Sequence, residues 1–343
     1  MDSPRFLKSP GTRDAIACAI ALAYITVIAA IAHGTGAFYI LFPELGALAF
    51  ETITRPYGRW ASAPIHLATT PFLTALVGTV ITRMMPYEFA SILLTVGSAL
   101  VIIIATGSPI VPAISAGLLP LVVGITSWGY PGGILLASLL LVGLVLGWQT
   151  FLARMAVNGD DRLAAAVRAE NRRPSLSMLP WVAVLFAFIT VQYGLVLITG
   201  MRFVMFPPII VICTELLSDP DCPWTDGMTR MPLLLFVAAF GGLVAIRWIG
   251  TGPGGAFVAM AWGIGALRVF GLHLPPGLAV ALLPMVMRSP TFNYPFAALL
   301  GTSVLILWAT AYRRWIPGSV LIRRLTALSE RRLTTVSAGA RRP

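Results

Sequence analysis

The chain repeats itself at an offset of 164 residues, without a gap, and the matching positions include residue types that two apolar segments seldom share by chance. The rarer matching pairs are Glu51 and Glu215, Pro56 and Pro220, Trp60 and Trp224, Arg83 and Arg247, and Tyr130 and Tyr294. Leucine and alanine matches alone would decide little in so apolar a sequence. The shared Trp, Glu, Arg and Pro positions predict a tandem duplication.

Composition predicts what each half folds into. Of the 343 residues, 57% are hydrophobic and only 11% are charged, too few to cover the surface of a water-soluble protein of this size. The apolar runs are continuous and rich in Leu, Ala and Gly, without the period-two alternation of a membrane β-barrel. We therefore expect an all-α polytopic membrane protein.

Each half divides into six apolar segments at its Gly, Pro and charged residues. In the first half they cover residues 14–33, 36–54, 63–84, 88–106, 110–125 and 131–153, and the second half follows the same offset. In the second segment the helical part would begin at Pro43 and end before Pro56, and in the fifth it would run from Pro112 to about Gly124. Each helical part then covers only about 20 Å at 1.5 Å per residue. Short helices at corresponding places in two repeats are typical of re-entrant or broken helices at a transport site.

The arginines predict the topology. They concentrate before the first segment, in a linker at 154–178 and in a basic tail at 317–343, which flank membrane repeats at 14–153 and 178–316. By the positive-inside rule all three basic regions are cytoplasmic, so the two repeats have parallel topology. We expect an integral protein of the bacterial inner membrane. The net charge of +11 is explained by contact with anionic lipid and needs no nucleic-acid partner.

Three carboxylates within apolar segments are candidate path residues, because ionisable groups in a membrane are costly. Glu44 and Glu51 are seven residues apart, which places them on one face of a helix. Glu51 is duplicated as Glu215, whereas Pro208 stands opposite Glu44. These carboxylates either line the path as proton carriers or partners of a cation, or they mark the interfacial ends of short helices.

Basic residues and prolines complete the predicted substrate path. His66 and Arg230 occupy equivalent positions at the start of the third segment, where they either attract an anion or anchor the helix at the interface. The prolines that open short helices are Pro43, Pro112, Pro207, Pro275 and Pro276. Helix N-termini that met near the midplane would form a polar or anionic site without side-chain charge. Kinked spanning helices are the alternative.

The sequence gives no indication of an enzyme. It has no phosphate-binding glycine loop and no cluster of histidines or carboxylates with metal-ligand spacing. We expect no catalytic residues, no metal and no cofactor. A homo-oligomer is compatible with the sequence.

Two stretches resemble the HPP family of integral membrane proteins. Residues 271–279 read GLHLPPGLA and resemble the family signature, as do residues 42–47, which read FPELGA. Members of that family are regarded as transporters, some of them associated with nitrite movement in plastids and cyanobacteria. The second and third segments are also similar to aromatic acid exporters of the fusaric-acid-resistance type. These resemblances imply transport.

Together these observations predict a transporter or channel for a small polar or anionic solute, with its path at the interface of the repeats. The resemblance makes a nitrite-like anion one candidate, and an organic acid exporter is an alternative. A membrane scaffold or sensor that does not transport is the other alternative. Its duplicated fold would serve only to position the basic tail.

Overall fold

The computed structural model describes residues 10–155, 179–219 and 222–315, and there it is helical without β-strands. The predicted basic tail, most of the predicted linker and Pro220 lie outside these residues. Eight of the described helices are long and apolar enough to span a membrane. Large apolar side chains such as Val27, Leu146 and Leu307 are exposed around the bundle, where lipid would contact them. The prediction of an all-α integral membrane protein is confirmed.

Twelve α-helices occur in the described residues, six on each side of the linker. Those of the first half are α1 (Pro10–Thr35), α2 (Glu44–Thr54), α3 (Pro64–Met84), α4 (Phe89–Thr106), α5 (Ala113–Val123) and α6 (Gly129–Met155). Those of the second half are α7 (Leu179–Thr199), α8 (Pro207–Ser218), α9 (Met231–Ile249), α10 (Pro253–Phe270), α11 (Pro276–Leu282) and α12 (Asn293–Trp315). A short 3₁₀ turn, Leu283–Val286, extends α11.

Proline and glycine set many of the helix limits. Pro43 and Pro112 directly precede α2 and α5, while Pro207 and Pro276 are the first residues of α8 and α11. Proline suits this place because the first helical turn needs no backbone N–H donor. The fourth helix of each half ends at a glycine in the left-handed region, at Gly107 and Gly271 with φ of 63° and 62°.

Helices α1 and α3 end on the same face of the bundle. Tyr39, just after α1, contacts Ser127 with 3.5 Å between their hydroxyl oxygens, and Arg83 at the end of α3 donates to the neighbouring carbonyl of Thr126 at 2.7 Å. We call this the distal face, and the face where α1 and α3 begin the N-terminal face. Since α1 and α3 run in the same direction, residues 36–63 cross back between them.

The short helices begin deep inside the fold. Thr74, at the middle of α3, donates to the carbonyl of Ala113 at 2.7 Å, so α5 begins halfway along α3 and then runs to the distal face. In the second half, Gly242 of α9 lies against the Ala281 carbonyl in the same way. Every residue of α5 and α11 is buried.

Helices α2 and α8 run the opposite way, from the interior to the N-terminal face. The Trp148 indole, near the end of α6, donates to the Ile53 carbonyl at 3.1 Å, and Arg313, near the end of α12, donates to the Leu216 carbonyl at 2.9 Å. Both carbonyls belong to the last turns of the short helices. The segments before these helices contain the 3₁₀ turns Phe38–Ile40 and Arg202–Met205 and complete the crossing from the distal face.

The two halves pack together through exchanged contacts. Helix α2 lies on α11 and α5 lies on α8. Helix α1 lies along α10, where Arg268 donates to Asp14 at 2.8 Å. Helix α7 lies against α4, with the rings of Tyr193 and Phe89 5.4 Å apart. Each half therefore buries its short helices partly against the other half.

Several interactions recur at the offset of 164. The Tyr130 hydroxyl donates to the Ala116 carbonyl at 2.8 Å, and the Tyr294 hydroxyl donates to the Val280 carbonyl at 2.7 Å. A methyl group added at Gly78 would lie 2.0 Å from the Gly117 carbonyl oxygen, and one added at Gly242 would lie 1.9 Å from that of Ala281. In both halves glycine lets the short helix approach the spanning helix closely.

Candidate functional site

A buried carboxyl lies where the short helices begin. Glu44 is the first residue of α2, is 1% exposed, and neither of its oxygens has a hydrogen-bond partner in the described structure. The Ser115 hydroxyl, in the first turn of α5, lies near this carboxyl but is also without a hydrogen bond of ordinary geometry. Buried polar groups without partners are rare in folded proteins and need an explanation.

Two equivalent tyrosines face this carboxyl. Tyr130 and Tyr294 lie within electrostatic range of Glu44. Both rings are fully buried. Their hydroxyls donate hydrogen bonds to backbone carbonyls of α5 and α11, and these bonds fix their orientation. The site thus combines groups from both halves around one carboxyl that only the first half supplies.

A second polar cluster lies at the N-terminal face, where α2 ends. Glu51 contacts His273, which precedes α11, and forms a 3.5 Å ion pair with Arg55, the residue that directly follows α2. The His273 ring also packs against Phe50, with 5.4 Å between centroids. The side chain of Glu51 is 14% exposed, so the pair with His273 is shielded from much of the solvent.

Glu215 joins the same cluster from the second half. Its carboxylate lies 3.9 Å from the Arg59 guanidinium and within electrostatic range of Glu51. The two carboxylates that match at the offset of 164 therefore lie near each other in the fold. Arg55 and Arg59, in the turn after α2, are the nearby cations that offset their charge.

A cavity of about 180 Å³ opens on the opposite side of the molecule, at the distal face. Polar groups on its wall include Arg202, Ser289, Thr291 and Asn293, and Tyr294 also lines it. The same tyrosine faces Glu44. Tyr294 therefore connects the wall of the distal cavity with the surroundings of Glu44. Along α2, the buried apolar residues Ala47 and Leu48 lie between Glu44 and the cluster at Glu51.

One guanidinium group lines the cavity and has no carboxylate partner among the described residues. It belongs to Arg202, which stacks on Tyr87, 3.8 Å from the ring centroid, and donates to the Leu121 carbonyl at 2.8 Å. Arg288 is not part of the cavity wall, but it donates to the Gly124 carbonyl at 2.9 Å and lies close enough to repel Arg202. Arg202 and the serine, threonine and amide groups of the wall form an anion-attracting surface.

Two predicted path residues lie apart from these groups. Arg230 is exposed and donates to the Phe270 carbonyl at 3.3 Å, at the end of α10. His66 lies in the first turn of α3 and makes no hydrogen bond among the described residues. Neither is brought to Glu44 or to the distal cavity, so both fit the interfacial interpretation better. Of the predicted prolines, Pro43, Pro112, Pro207 and Pro276 lie at the deep helix starts, and Pro275 precedes α11.

Sequence reasoning missed Arg202 and Arg288. The residues at the equivalent positions of the first half are Phe38 and Gly124. A sequence signal for these two arginines would have been that the other half has no arginine at the equivalent position, because Glu44 likewise has no carboxylate counterpart in the second half. That signal is not specific by itself, because the unduplicated Arg268 forms a half-exposed surface ion pair with Asp14.

No group of three His, Cys, Asp or Glu side chains that could hold a metal occurs in residues 10–155, 179–219 and 222–315. Comparisons with models of protein families, with curated proteins and with solved structures find no match. The resemblance to the HPP family therefore stays a prediction based on residues 271–279 and 42–47.

Proposed function

We propose that the chain is a tandem duplication of one six-helix unit, with both copies oriented the same way across the membrane. The recurrence of the Tyr130 and Tyr294 hydrogen bonds and of the Gly78 and Gly242 contacts supports this arrangement. The exchanged packing of α2 on α11 and of α5 on α8 supports an approximate two-fold axis along the membrane normal. The N-terminal face is then cytoplasmic, because the arginine-rich regions flank it.

We propose further that this protein is a transporter for a small anionic solute, with its path between the two halves. One observation carries the proposal. Glu44 is fully buried and unpartnered at the start of the short helices, with a polar cavity on one side and the Glu51 cluster on the other. A scaffold would gain nothing from such a carboxyl, whereas ionisable groups inside membrane proteins commonly mark transport pathways.

The distal cavity favours an anion as the solute. Arg202 lines this cavity, Arg288 lies close to Arg202, and no described carboxylate neutralises either one. Arg202 places a positive charge at the cavity wall, and Ser289, Thr291 and Asn293 offer hydrogen bonds. The cavity volume of about 180 Å³ suits a solute of a few atoms to the size of a small organic acid. The cavity then serves as the first binding site on the non-cytoplasmic side.

Uptake by proteoliposomes tests the proposal. Purified protein would be reconstituted and offered nitrite, nitrate, formate, acetate and benzoate one at a time, so that inorganic anions and organic acids are both represented. We expect at least one to enter faster than into empty vesicles. Equal rates for the whole panel, with and without a pH gradient, would contradict the transport function.

A matched pair of variants then tests the role of the cavity. Arg202→Gln should raise the half-saturating concentration of the transported anion about tenfold or more, because a hydrogen bond to a charged group contributes about 1.5–3 kcal/mol. Arg83→Gln is the control. Arg83 also lies at the distal face and also donates to a backbone carbonyl, but it stacks on Trp128 and does not line the cavity. Equal effects of the two substitutions would exclude a specific anion site.

A further inference from the structure

We propose that Glu44, with the Ser115 hydroxyl beside it, is the proton-binding site of the transporter. This inference rests on the proposed transport function and names the ion that accompanies the solute. In the closed conformation of this structure the carboxyl holds its proton. When the path opens to one side, the proton is released to water there and another is taken up later from the other side.

The surroundings of the carboxyl favour the neutral form in the closed conformation. Its oxygens are buried without a donor of ordinary hydrogen-bond geometry, and a carboxylate without a partner costs several kcal/mol to bury. A carboxylic acid needs only one acceptor for its proton. The Ser115 oxygen lies near, is fully buried and has no other partner.

The neighbouring elements supply no counter-ion. Tyr130 of α6 and Tyr294 of α12 face the carboxyl, and each hydroxyl already donates to a backbone carbonyl. The residues of α5 and α11 include no titratable side chain. On α1, Tyr24 donates to the Ala137 carbonyl, and Asp14 and Arg268 pair with each other at the N-terminal face. No described cation lies close enough to replace the proton.

The position at a helix start makes the charged form accessible after opening. Glu44 lies in the first turn of α2, where the positive end of the helix dipole stabilises a carboxylate. Burial favours the acid while the site is closed, and hydration together with the helix end favours the carboxylate once water enters. The group can therefore change its protonation state with the conformation.

The site also lies in the right place to accompany an anion. Tyr294 contributes both to the distal cavity with Arg202 and to the surroundings of Glu44. An anion moving inward from the cavity would pass Glu44. The protonated carboxyl would not repel this anion, whereas the carboxylate would. One proton and one monovalent anion crossing together carry no net charge, which removes most of the electrostatic cost of crossing a low-dielectric interior.

Infrared difference spectroscopy of the purified, reconstituted protein tests the site without knowledge of the solute. The wild-type spectrum minus that of Glu44→Gln should show, at neutral pH, the C=O stretch of one protonated carboxylic acid, which shifts in D₂O. Glu88→Gln, which removes the capping carboxylate at the start of α4, should leave that band unchanged. A carboxylate band in place of the acid band at neutral pH would overturn the inference.

Two further measurements extend the infrared test: the spectrum of Ser115→Ala, and the spectrum after Na⁺ is added. Ser115→Ala keeps the acid and should move its C=O stretch to higher frequency, because the acid loses its hydrogen-bond acceptor. An unchanged band would overturn the role of Ser115. Loss of the acid band on adding Na⁺ at constant pH would mean that a metal cation occupies the site, which would also overturn the proton assignment. The infrared band is measured without any transport of solute. The assignment of the proton-binding site can therefore fail while anion uptake is observed, and anion uptake can fail while the acid band is present.

Discussion

Glu51 and His273 come from different halves of the chain and meet at the N-terminal face, where their contact joins the end of α2 to the segment before α11. The side chain of His273 is 31% exposed, so this contact is only partly weakened by solvent. Its loss would free the start of α11 from α2. A local contact of this kind can therefore stabilise the interface between the halves.

Replacing His273 by asparagine should destabilise the protein by about 1–2 kcal/mol, because a hydrogen bond to a charged group contributes about 1.5–3 kcal/mol and partial exposure of His273 weakens it. The matched control is His66→Asn, which changes a histidine with no hydrogen bond among the described residues. Thermal unfolding in detergent should show a midpoint lowered by a few degrees for His273→Asn alone. An equal decrease for both variants would contradict a specific contact.

At the residue scale, the sequence predicted that Glu44, Glu51 and Glu215 need a structural reason, because charge inside an apolar segment is costly. It could not predict their different surroundings. Glu51 and Glu215 gain cations from the turn after α2, whereas Glu44 has none. These differences depend on how the halves pack, and a pattern along one chain does not record that packing.

At the scale of elements, glycine determines how closely the short helices approach the spanning helices. Gly78 lies against the backbone of α5 and Gly242 against the backbone of α11. The atoms in contact belong to the main chain, so a side chain cannot move aside to relieve an added methyl group. These two glycines therefore fix the depth at which α5 and α11 lie.

Gly78→Ala and Gly242→Ala should each destabilise the protein by about 1–3 kcal/mol, the usual cost of overpacking. Gly143→Ala in α6 is the control, because an added methyl group there meets no atom within 4 Å. That change should be neutral or stabilising by up to about 1 kcal/mol, since alanine favours a helix. Unfolding midpoints that are equal for all three variants would contradict the close approach.

Helix existence and the starts of the short helices could be predicted from the sequence. In the segment at 36–54 the helical part was predicted to begin at Pro43, and α2 begins at Glu44. In the segment at 110–125 it was predicted from Pro112 to about Gly124, and α5 covers Ala113–Val123. The 3₁₀ turn Phe38–Ile40 could not be predicted, because apolar content does not distinguish such a turn from an α-helix. Proline marked the helix starts because its effect on the backbone is local.

At the scale of the whole molecule, the contacts between the halves are extensive and reciprocal. Helices α2 and α5 of the first half pack on α11 and α8 of the second, and α1 and α4 pack on α10 and α7. Each half by itself would leave uncovered the surface of its short helices that packs on the other half. We therefore expect the halves to associate strongly even without a covalent connection.

Expression of the halves as separate polypeptides, cut between residues 160 and 170, tests this expectation. An affinity tag on the first half should recover the second in equal amount when both are made in the same cell. Either half expressed alone should give little folded protein. A first half that folds and stays monodisperse without the second would contradict the reciprocal packing.

If water and solute reach the junction of the short helices, a thiol at position 115 should be accessible to a reagent dissolved in water. Ser115→Cys would be introduced into a protein whose Cys18, Cys213 and Cys222 are replaced by alanine, with Ala21→Cys as an equally buried control on α1. A membrane-impermeant thiol reagent, applied from either side of proteoliposomes, should label the thiol introduced at position 115 at a rate that changes with the transported anion. The same reagent should leave the control thiol on α1 unlabelled. If the thiol at position 115 reacts no faster than the control from either side, no path passes through this junction.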